Sequence, residues 1–309
     1  MARLTYLVVL GVVAVMALLP LGLALALGRG LGWICYRVVG LRAGVVRRNL
    51  RHVLGASRSD AEIDAIACAS YGQFAMTLVE LLRSVAPFTL GRGLERNVTF
   101  DDLTELERLR DAKRPVICVQ GHIGNFDLAA YAFAGRGFPH HTVMRAVKNP
   151  YVNSMVVNVR EKHGVTVHEK GPETGREIRD LLGRGEWLGI LPDQNAKERG
   201  VTVDFLGQPA SLYRGAASFH LETGAPLCVA VDERSRTDPR KHHVGYEILP
   251  PAVRTGDEEA DVRAVMQQVA DALGRKILRN PEQYFWMHRL WGKAMHREAE
   301  KVGAGAAAG

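Results

Sequence analysis

From about residue 95 onward, short apolar runs rich in β-forming residues alternate with segments of helical periodicity. The runs predicted as strands are 115–120, 141–145, 164–168, 187–192, 201–206, 225–231 and 244–249. The segments predicted as helices are 101–112, 126–135, 151–162, 173–184, 213–223 and 258–279. Such alternation predicts an α/β domain over residues 91–295, with a mixed, largely parallel central sheet and helices on both faces.

An uncharged apolar segment runs from Leu4 to Leu27, before this domain. A membrane span needs about 20 apolar residues, and a buried core helix would show a polar face, which this segment lacks. A cleaved signal peptide is the alternative, because residues 24–26 fit the small-residue cleavage pattern. The arginines that follow favour an anchor, since positive charge keeps that flank in the cytoplasm. We therefore predict an N-terminal membrane-anchoring helix over residues 1–28. Pro20 kinks or ends it, so tilted or interfacial insertion stays open.

The positive charge of the chain is concentrated next to this segment. Residues 1–59 contain eight arginines and no acid, so with a net charge of +7 the remaining residues sum to −1. A nucleic-acid binder would spread basic and aromatic residues over its folded face, so no nucleic-acid partner is expected. The basic helices predicted over 29–90 either pack on the domain as solvated amphipathic helices or lie on anionic lipid, which contributes about 1 kcal/mol per basic residue. We expect the chain to be located at the inner (cytoplasmic) membrane, with the α/β domain on its cytoplasmic face.

Two further features bound the class of protein. Four scattered cysteines without zinc spacing indicate a reducing compartment and no disulfide framework. The tail over residues 296–309, which ends in the low-complexity run GAGAAAG, is predicted to be disordered.

The stretch GHIGNFDLAA, directly after the strand predicted at 115–120, holds the clearest candidates for chemistry. His122 and Asp127 flank a turn at Gly124-Asn125, and polar residues at the carboxyl ends of strands do the chemistry in open α/β sheets. A histidine oriented by a carboxylate is a general base. The backbone N–H groups of a turn at a helix start can receive an oxyanion. The alternative is a capping aspartate beside an unrelated histidine.

These residues resemble the His-x4-Asp/Glu motif of the glycerolipid acyltransferase superfamily. Other segments narrow the resemblance to the bacterial lipid A biosynthesis (lauroyl/myristoyl) acyltransferases. In chain order they are VVRRNL (45–50), RAVKNPYVN (145–153), LLGRGEWLGILPDQNAKERGVTVDFLGQPA (181–210) and NPEQYFWMHRLW (280–291). The segments at 181–210, which contains Asp193-Gln194, and at 280–291 are the parts most specific to this family. The whole resemblance covers about residues 20–292.

The resemblance implies a membrane-bound O-acyltransferase. It would move a fatty acyl chain from a thioester of acyl carrier protein or coenzyme A to a hydroxyl of a membrane glycolipid, with a lipid A precursor as the first choice. His122 would be the general base and Asp127 would orient it, without a metal or redox cofactor. Phosphoinositide mannosides and lysophospholipids are alternative acceptors, and a non-catalytic membrane scaffold of the same fold is the alternative from another class. A soluble hydrolase would not explain the anchor, and the chain lacks a G-x-S-x-G elbow.

Besides His122 and Asp127, the residues predicted to contact substrate are Gly124, Asn125, Arg145, Asn149, Asp193, Gln194 and Arg214. Arg145 ends a predicted strand and would clamp a phosphate, with a surface ion pair as the alternative. Asp193 and Gln194 end another strand at the same edge and would position the acceptor sugar or Arg145. Asn149 precedes a proline and is expected to cap the next helix.

Two positions depart from what the family usually carries. Asp127 is one methylene shorter than the glutamate common in the lipid A branch. Arg214 replaces a small or hydroxyl residue, and would either bind an acceptor phosphate or pair with Glu222. Cys118 is discounted as a nucleophile, because its apolar flanks offer nothing to lower the pKa of its thiol.

Overall fold

The computed structural model describes residues 2–85 and 94–291. The predicted tail at 296–309 and the predicted domain boundary near residue 90 lie outside the described residues. The helices are α1 (Ala2–Leu18), α2 (Leu21–Ile34), α3 (Ala43–Leu54), α4 (Asp60–Val85), α5 (Thr104–Asp111), α6 (Phe126–Ala134), α7 (Pro150–Lys162), α8 (Thr174–Gly183), α9 (Gly215–Thr223) and α10 (Glu258–Arg279). The strands are β1 (Val98–Phe100), β2 (Val116–Val119), β3 (His140–Met144), β4 (Thr166–Glu169), β5 (Trp187–Ile190), β6 (Gly200–Phe205), β7 (Gln208–Tyr213), β8 (Leu227–Arg234) and β9 (His242–Ile248).

A seven-stranded sheet in the order β1-β9-β8-β2-β5-β3-β4 forms the centre of the domain. Strands β8, β2, β5, β3 and β4 run parallel to one another, whereas β9 is antiparallel to β8 and β1 follows the direction of β9. The predicted mixed, largely parallel sheet is therefore confirmed. Because parallel neighbours end at the same edge, the loops after β2, β5 and β3 converge there.

Helices cover both faces of this sheet, as the side chains of β2 show. Ile117 and Val119 lie in one apolar cluster with buried residues of α8, α9 and α10, whereas Val116 and Cys118 lie in a second cluster with α5 and α6. This alternation follows from the two-residue period of a strand. All four β2 side chains are fully buried, which explains why the sequence shows a continuous apolar run there.

Every strand and helix predicted from the alternation is present, and the differences are two additional strands. β1 was missed because it has only three residues. β7 was missed because its sequence, QPASLY, shows no apolar alternation, yet it pairs with β6 in a separate antiparallel hairpin. Positive φ angles at Leu206 and Gly207 make the tight turn between these two strands.

The apolar N-terminal segment forms two helices instead of one. α1 ends at Leu18 and α2 begins at Leu21, because Pro20 lacks an N–H and disfavours helical backbone in the residue before it. The predicted break at Pro20 is thus confirmed, and the role of this segment as a membrane anchor stays a prediction. Arg83 of α4 donates to the carbonyls of Met16 and Leu19, which ties the end of α1 to the domain.

Helix α2 packs closely along α4, the long helix that leads toward the sheet. A Cβ on Gly32 would come within 2.5 Å of the carbonyl oxygen of Tyr71, so only glycine permits this approach. By length and composition, α4 is also the one described helix that is long and apolar enough to cross a membrane. Some of its residues, among them Tyr71, Met76 and Glu80, are buried in the domain.

Candidate active site

The candidate site lies where β2 and its parallel neighbour β5 end. Val119 and Ile190 are register partners at the ends of these strands, and the chain continues alike on both sides, with Gln120 N donating to Ile190 O. His122 and Asp193 each follow three residues after their strand. Equal spacing from paired strand ends places the two side chains opposite each other.

Asp193 binds His122 with both of its carboxylate oxygens, one at the imidazole and one at the backbone. Oδ1 lies 2.8 Å from Nδ1 of His122, and Oδ2 accepts the backbone N–H of His122 at 2.7 Å. The carboxylate is fully buried, and the ring is 17% exposed. Nδ1 therefore carries the proton, which leaves the lone pair of Nε2 available, and Gln194 Nε2 contacts this nitrogen at 3.1 Å.

The charge of Asp193 raises the pKa of the His122 ring above its ordinary value. Burial alone would lower the pKa of His122, but the charge and hydrogen bond of Asp193, with a smaller effect from the charge of Asp127, raise it above 6.5. For Asp193, burial would raise the pKa, and the interactions with His122 lower it. The ring is consequently a stronger base than a free histidine, with an orientation fixed by a carboxylate.

Asp127, predicted to hold the second ring nitrogen of His122, is bound elsewhere. Its Oδ1 accepts from Nε and Nη2 of Arg160 at 2.9 and 2.8 Å. The side chain leaves the first turn of α6 toward α7, whereas Nδ1 of His122 faces the loop after β5, where Asp193 already supplies a carboxylate. The expected hydrogen bond between His122 and Asp127 is thus wrong, and Asp127 acts on the ring only through its charge.

The turn between these two residues is bound from within the protein. Gly124 N donates to Gln283 O at 3.0 Å, and Asn125 N donates to Asp232 Oδ2 at 2.8 Å. The side chain of Asn125 caps α6 by accepting from Leu128 N at 3.0 Å. The expectation that the N–H groups of Gly124 and Asn125 are free for an oxyanion is therefore wrong, since both donors already have acceptors.

A cavity of about 240 Å³ lies beside His122. Its walls come from three parts of the chain that are distant in sequence: α4, the His122 turn and the C-terminal segment. The lining residues are Ser70, Phe74, Thr77, His122, Gly124, Phe126, Gln283, Tyr284, Phe285 and His288. Most of this lining is apolar, so His122 lies at the wall of a space suited to an alkyl or thioester group.

Comparison with known proteins places this chain in a family. A family model described as bacterial lipid A biosynthesis acyltransferase matches residues 2–293. This chain belongs to that family. It is therefore a lipid acyltransferase.

Individual relatives agree with this membership. The acyltransferase is 27% identical over 288 residues to the lipid A biosynthesis lauroyltransferase of Escherichia coli K12, which covers 91% of this chain and 89% of the relative. It is 25% identical over 254 residues to the phosphatidylinositol mannoside acyltransferase of Mycobacterium tuberculosis H37Rv, covering 80% and 76%. The palmitoleoyltransferase of lipid A biosynthesis from Escherichia coli K12 is 23% identical over 286 residues, covering 91% and 88%.

The other residues predicted to contact substrate differ in whether their side chains already have bonding partners. Arg145 directly follows β3 at the same sheet edge, is exposed, and has no hydrogen bond or ion pair within residues 2–85 and 94–291. Asn149 caps α7 as expected, accepting from Tyr151 N at 3.1 Å, and donates to Ala2 O of α1. Asp193 and Gln194 contact His122, which corrects the expectation that they position a sugar or Arg145.

Arg214 contacts α10 and does not pair with Glu222. Its Nη1 lies 2.7 Å from Glu259 Oε1, while Glu222 is held by Nε of Arg179 at 2.6 Å. The expected Arg214–Glu222 pair is therefore wrong. Contact with an acceptor phosphate would require Arg214 to leave Glu259, an exposed partner whose attraction is weak.

His288 is a site residue that the sequence alone did not single out. Its ring packs edge-on against His122 at 4.8 Å between centroids, and its Nε2 is buried without a partner among the described residues. Burial and the adjacent charge of His122 lower the pKa of His288 to about 4. It is thus a neutral imidazole on the cavity wall. Its place in the segment NPEQYFWMHRLW is the sequence signal that could have identified it.

Within the described parts of the chain, no three His, Cys, Asp or Glu side chains come together as ligands for a metal ion.

Proposed function

We propose that this protein transfers a fatty acyl chain from an acyl thioester, carried by acyl carrier protein or coenzyme A, to a hydroxyl of a membrane glycolipid. The observation that carries the proposal is the Asp193–His122 pair at the wall of the apolar cavity. A carboxylate that fixes the tautomer of a histidine leaves its other nitrogen as a general base. The cavity beside it suits the carbonyl end of a fatty acyl group.

The reaction follows from the free lone pair on Nε2 of His122. The acceptor hydroxyl replaces Gln194 at this nitrogen and gives up its proton as its oxygen attacks the thioester carbonyl. A C–O bond forms and the C–S bond breaks. The imidazolium, stabilised by Asp193, then returns the proton to the departing thiolate. The products are the acylated lipid and the free thiol, and Nε2 is again unprotonated.

The acceptor is proposed from the family and the relatives together. Relatives named for lipid A and for phosphatidylinositol mannoside both match across most of the chain, so a sugar-bearing membrane lipid is the common class. A lipid A precursor is the first choice because the family model covers residues 2–293. A phosphoinositide mannoside is the second, and a lysophospholipid the third.

An assay with purified enzyme tests this proposal. The protein in mixed micelles is incubated with acyl carrier protein or coenzyme A thioesters and each acceptor class, and products are read by mass spectrometry. A mass gain of one acyl group on a lipid A precursor is the expected result. Gain only on the mannoside or the lysophospholipid would change the acceptor. No transfer to any of them by folded protein would favour the non-catalytic scaffold.

We also propose that α2 and the chain following it rest on the inner membrane at its cytoplasmic face. Supporting this, a row of apolar side chains is exposed there beside arginines. The exposed residues are Leu23, Leu27, Leu31, Trp33, Ile34, Val38, Val39 and Leu41. Trp33 and Arg29 line a surface groove between α2 and α4, so aromatic and cationic groups occur together, as at a lipid interface.

Removing one of these cations should weaken membrane binding. Arg29→Ala should lower the affinity for vesicles that contain phosphatidylglycerol roughly fivefold, since a basic residue near anionic headgroups contributes about 1 kcal/mol. The control is Arg263→Ala on the exposed side of α10, which should leave binding unchanged. The measurement is vesicle flotation. Equal losses for both variants would show a non-specific charge effect and count against α2 as the membrane face.

Arg145 remains the proposed contact for a substrate phosphate. Because its guanidinium has no described partner, its removal should leave the fold intact while lowering kcat/KM about 10- to 100-fold, the effect of losing a charge-assisted hydrogen bond. The measurement compares Arg145→Ala with wild type on an acceptor with and without its phosphate. The loss should vanish on the dephosphorylated acceptor. An equal loss on both acceptors would exclude recognition of the acceptor phosphate.

A further inference from the structure

Four charged side chains are buried behind the turn that follows His122, and the proposed reaction uses none of them. They are Glu80 of α4, Asp232 and Arg234 of β8, and His242 of β9, each at most 3% exposed. Removing a charge from water costs several kcal/mol, and apolar replacements of buried ion clusters are often neutral or stabilising. Stability alone therefore does not explain the cluster, which directs attention to what it contacts.

The four side chains are joined to one another by hydrogen bonds and ion pairs. Arg234 donates to both oxygens of Glu80, with Nη1–Oε1 at 2.5 Å and Nη2–Oε2 at 2.6 Å. The ring of His242 faces a carboxylate at each nitrogen, with Nδ1 at 2.8 Å from Asp232 Oδ2 and Nε2 at 3.1 Å from Glu80 Oε1. Arg234 Nη1 also lies 3.1 Å from Nε2 of His242, since both groups bind the same oxygen of Glu80. Only the protonated ring can donate to both carboxylates.

One side of this cluster holds the turn before α6. Asp232 Oδ2 accepts the backbone N–H of Asn125, and Glu80 Oε2 accepts from Nδ2 of Asn125, both at 2.8 Å. Gly124 has φ +60°, and a Cβ there would lie 1.9 Å from the carbonyl oxygen of Asp232. The turn therefore rests directly on the cluster and its strand.

The other side of the cluster holds the C-terminal wall of the cavity. The side chain of Gln283 bonds both the N–H and the carbonyl of Arg234, at 2.7 and 2.9 Å. The backbone then continues to the catalytic residue, because Gln283 O accepts Gly124 N and Phe285 N donates to His122 O at 2.9 Å. Two walls of the cavity thus meet at one set of buried charges.

We propose that the cluster of Glu80, Asp232, Arg234 and His242 is a positioning device, whose fully charged form holds the His122 turn and the Gln283 segment at the spacing that acyl transfer requires. The inference rests on the proposed role of His122 as the base. None of the four lines the cavity beside His122, so they are positioning residues.

The geometry carries a pH consequence. Among the described residues, the titratable and charged groups that face His242 are Asp232 and Arg234 of β8 and Glu80 of α4. Burial would lower the pKa of His242, but the carboxylates of Asp232 and Glu80 outweigh it and raise the pKa to about 9. The charged cluster is therefore complete at neutral pH and is lost as pH rises through about 9. A general base alone would give no such fall, since it only gains activity with rising pH.

The test compares His242→Gln and Asp232→Asn with wild type. Both variants keep the size of the side chain and remove its charge. We expect kcat to fall about 10²-fold, because a small displacement caused at a distance from the reacting atoms can have an effect of this size. KM should be nearly unchanged. The pH profile of kcat should lack the fall at high pH that we expect for wild type. Leu221→Ala in α9 is the control, a core variant that lowers stability but should retain kcat below its unfolding temperature.

Three results would overturn the proposal. One is a folded His242→Gln protein with wild-type kcat at all pH values. Another is a loss of kcat no larger than that of Leu221→Ala at matched stability. If neither variant folds, the wild-type enzyme decides, since a kcat without an alkaline limb near pH 9 contradicts the device.

A readout that needs no turnover separates this inference from the proposed function. The backbone amide resonance of Asn125, followed by nuclear magnetic resonance, should titrate with a pKa of about 9 in wild type. If wild type transfers no acyl group but this titration is seen, the proposed function fails while the coupling of His242 to the turn stands. If transfer occurs and the amide of Asn125 does not titrate, the positioning device fails alone.

Discussion

Replacing Asp193 by asparagine should lower kcat by about 10⁴-fold, the loss that the corresponding change causes in a serine-protease triad. The amide keeps the shape but presents an N–H to Nδ1 of His122, which favours the opposite tautomer and removes the lone pair from Nε2. The carboxylate that raises the pKa of His122 is also lost. Activity of wild type should rise with pH as His122 loses its proton, and in Asp193→Asn this acid limb should move to lower pH.

Asp127→Asn is the matched comparison for that experiment. It removes the same charge one turn away, from a carboxylate bound to Arg160 and not to the ring. Its effect on kcat should be much smaller, with a slight shift of the acid limb, because Asp127 raises the pKa of His122 only through its charge. A large loss of kcat in Asp127→Asn together with a small loss in Asp193→Asn would show that Asp127 orients the base during catalysis.

Removing the base itself should have a comparably large effect. His122→Ala should cost at least the 10²–10⁴-fold that general-base catalysis supplies. Adding Asp193→Asn to His122→Ala should cost little more, because the carboxylate acts through the ring and effects within one catalytic unit are not additive. Transfer from a thioester to the glycolipid acceptor is measured, with circular dichroism to confirm folding. Near-normal transfer by folded His122→Ala would exclude His122 as the base.

The sequence was sufficient for the elements but not for the partner of the base. Apolar runs and helical periodicity are local properties, so the strands and helices between 104 and 279, except β7, could be predicted to within a few residues. The choice between Asp127 and Asp193 depends on strand order, which is not local. β5 lies next to β2 in the sheet although β3 and β4 intervene in the chain, and this brings Asp193 to the ring.

The buried cluster escaped sequence reasoning for the same reason. Glu80 and His242 are separated by 162 residues along the chain and belong to different layers of the fold. A weak signal was present, since Glu80 stands inside the apolar stretch TLVELL and Asp232 ends the apolar run of β8. A single charge in an apolar pattern indicates a buried partner somewhere, but not where that partner lies in the chain.

The contact of Gly32 with α4 limits how far the N-terminus can be altered. α2 lies against one side of α4, and Phe74 and Thr77 on α4 line the cavity. An unrelated membrane helix fused in place of residues 2–34 would not fit against α4 without glycine at the contact, and α4 would lose its lateral support. The first two helices are thus packed as part of the α/β domain and cannot be exchanged for an unrelated membrane helix. A soluble fragment obtained by trimming them would leave the cavity without its backing.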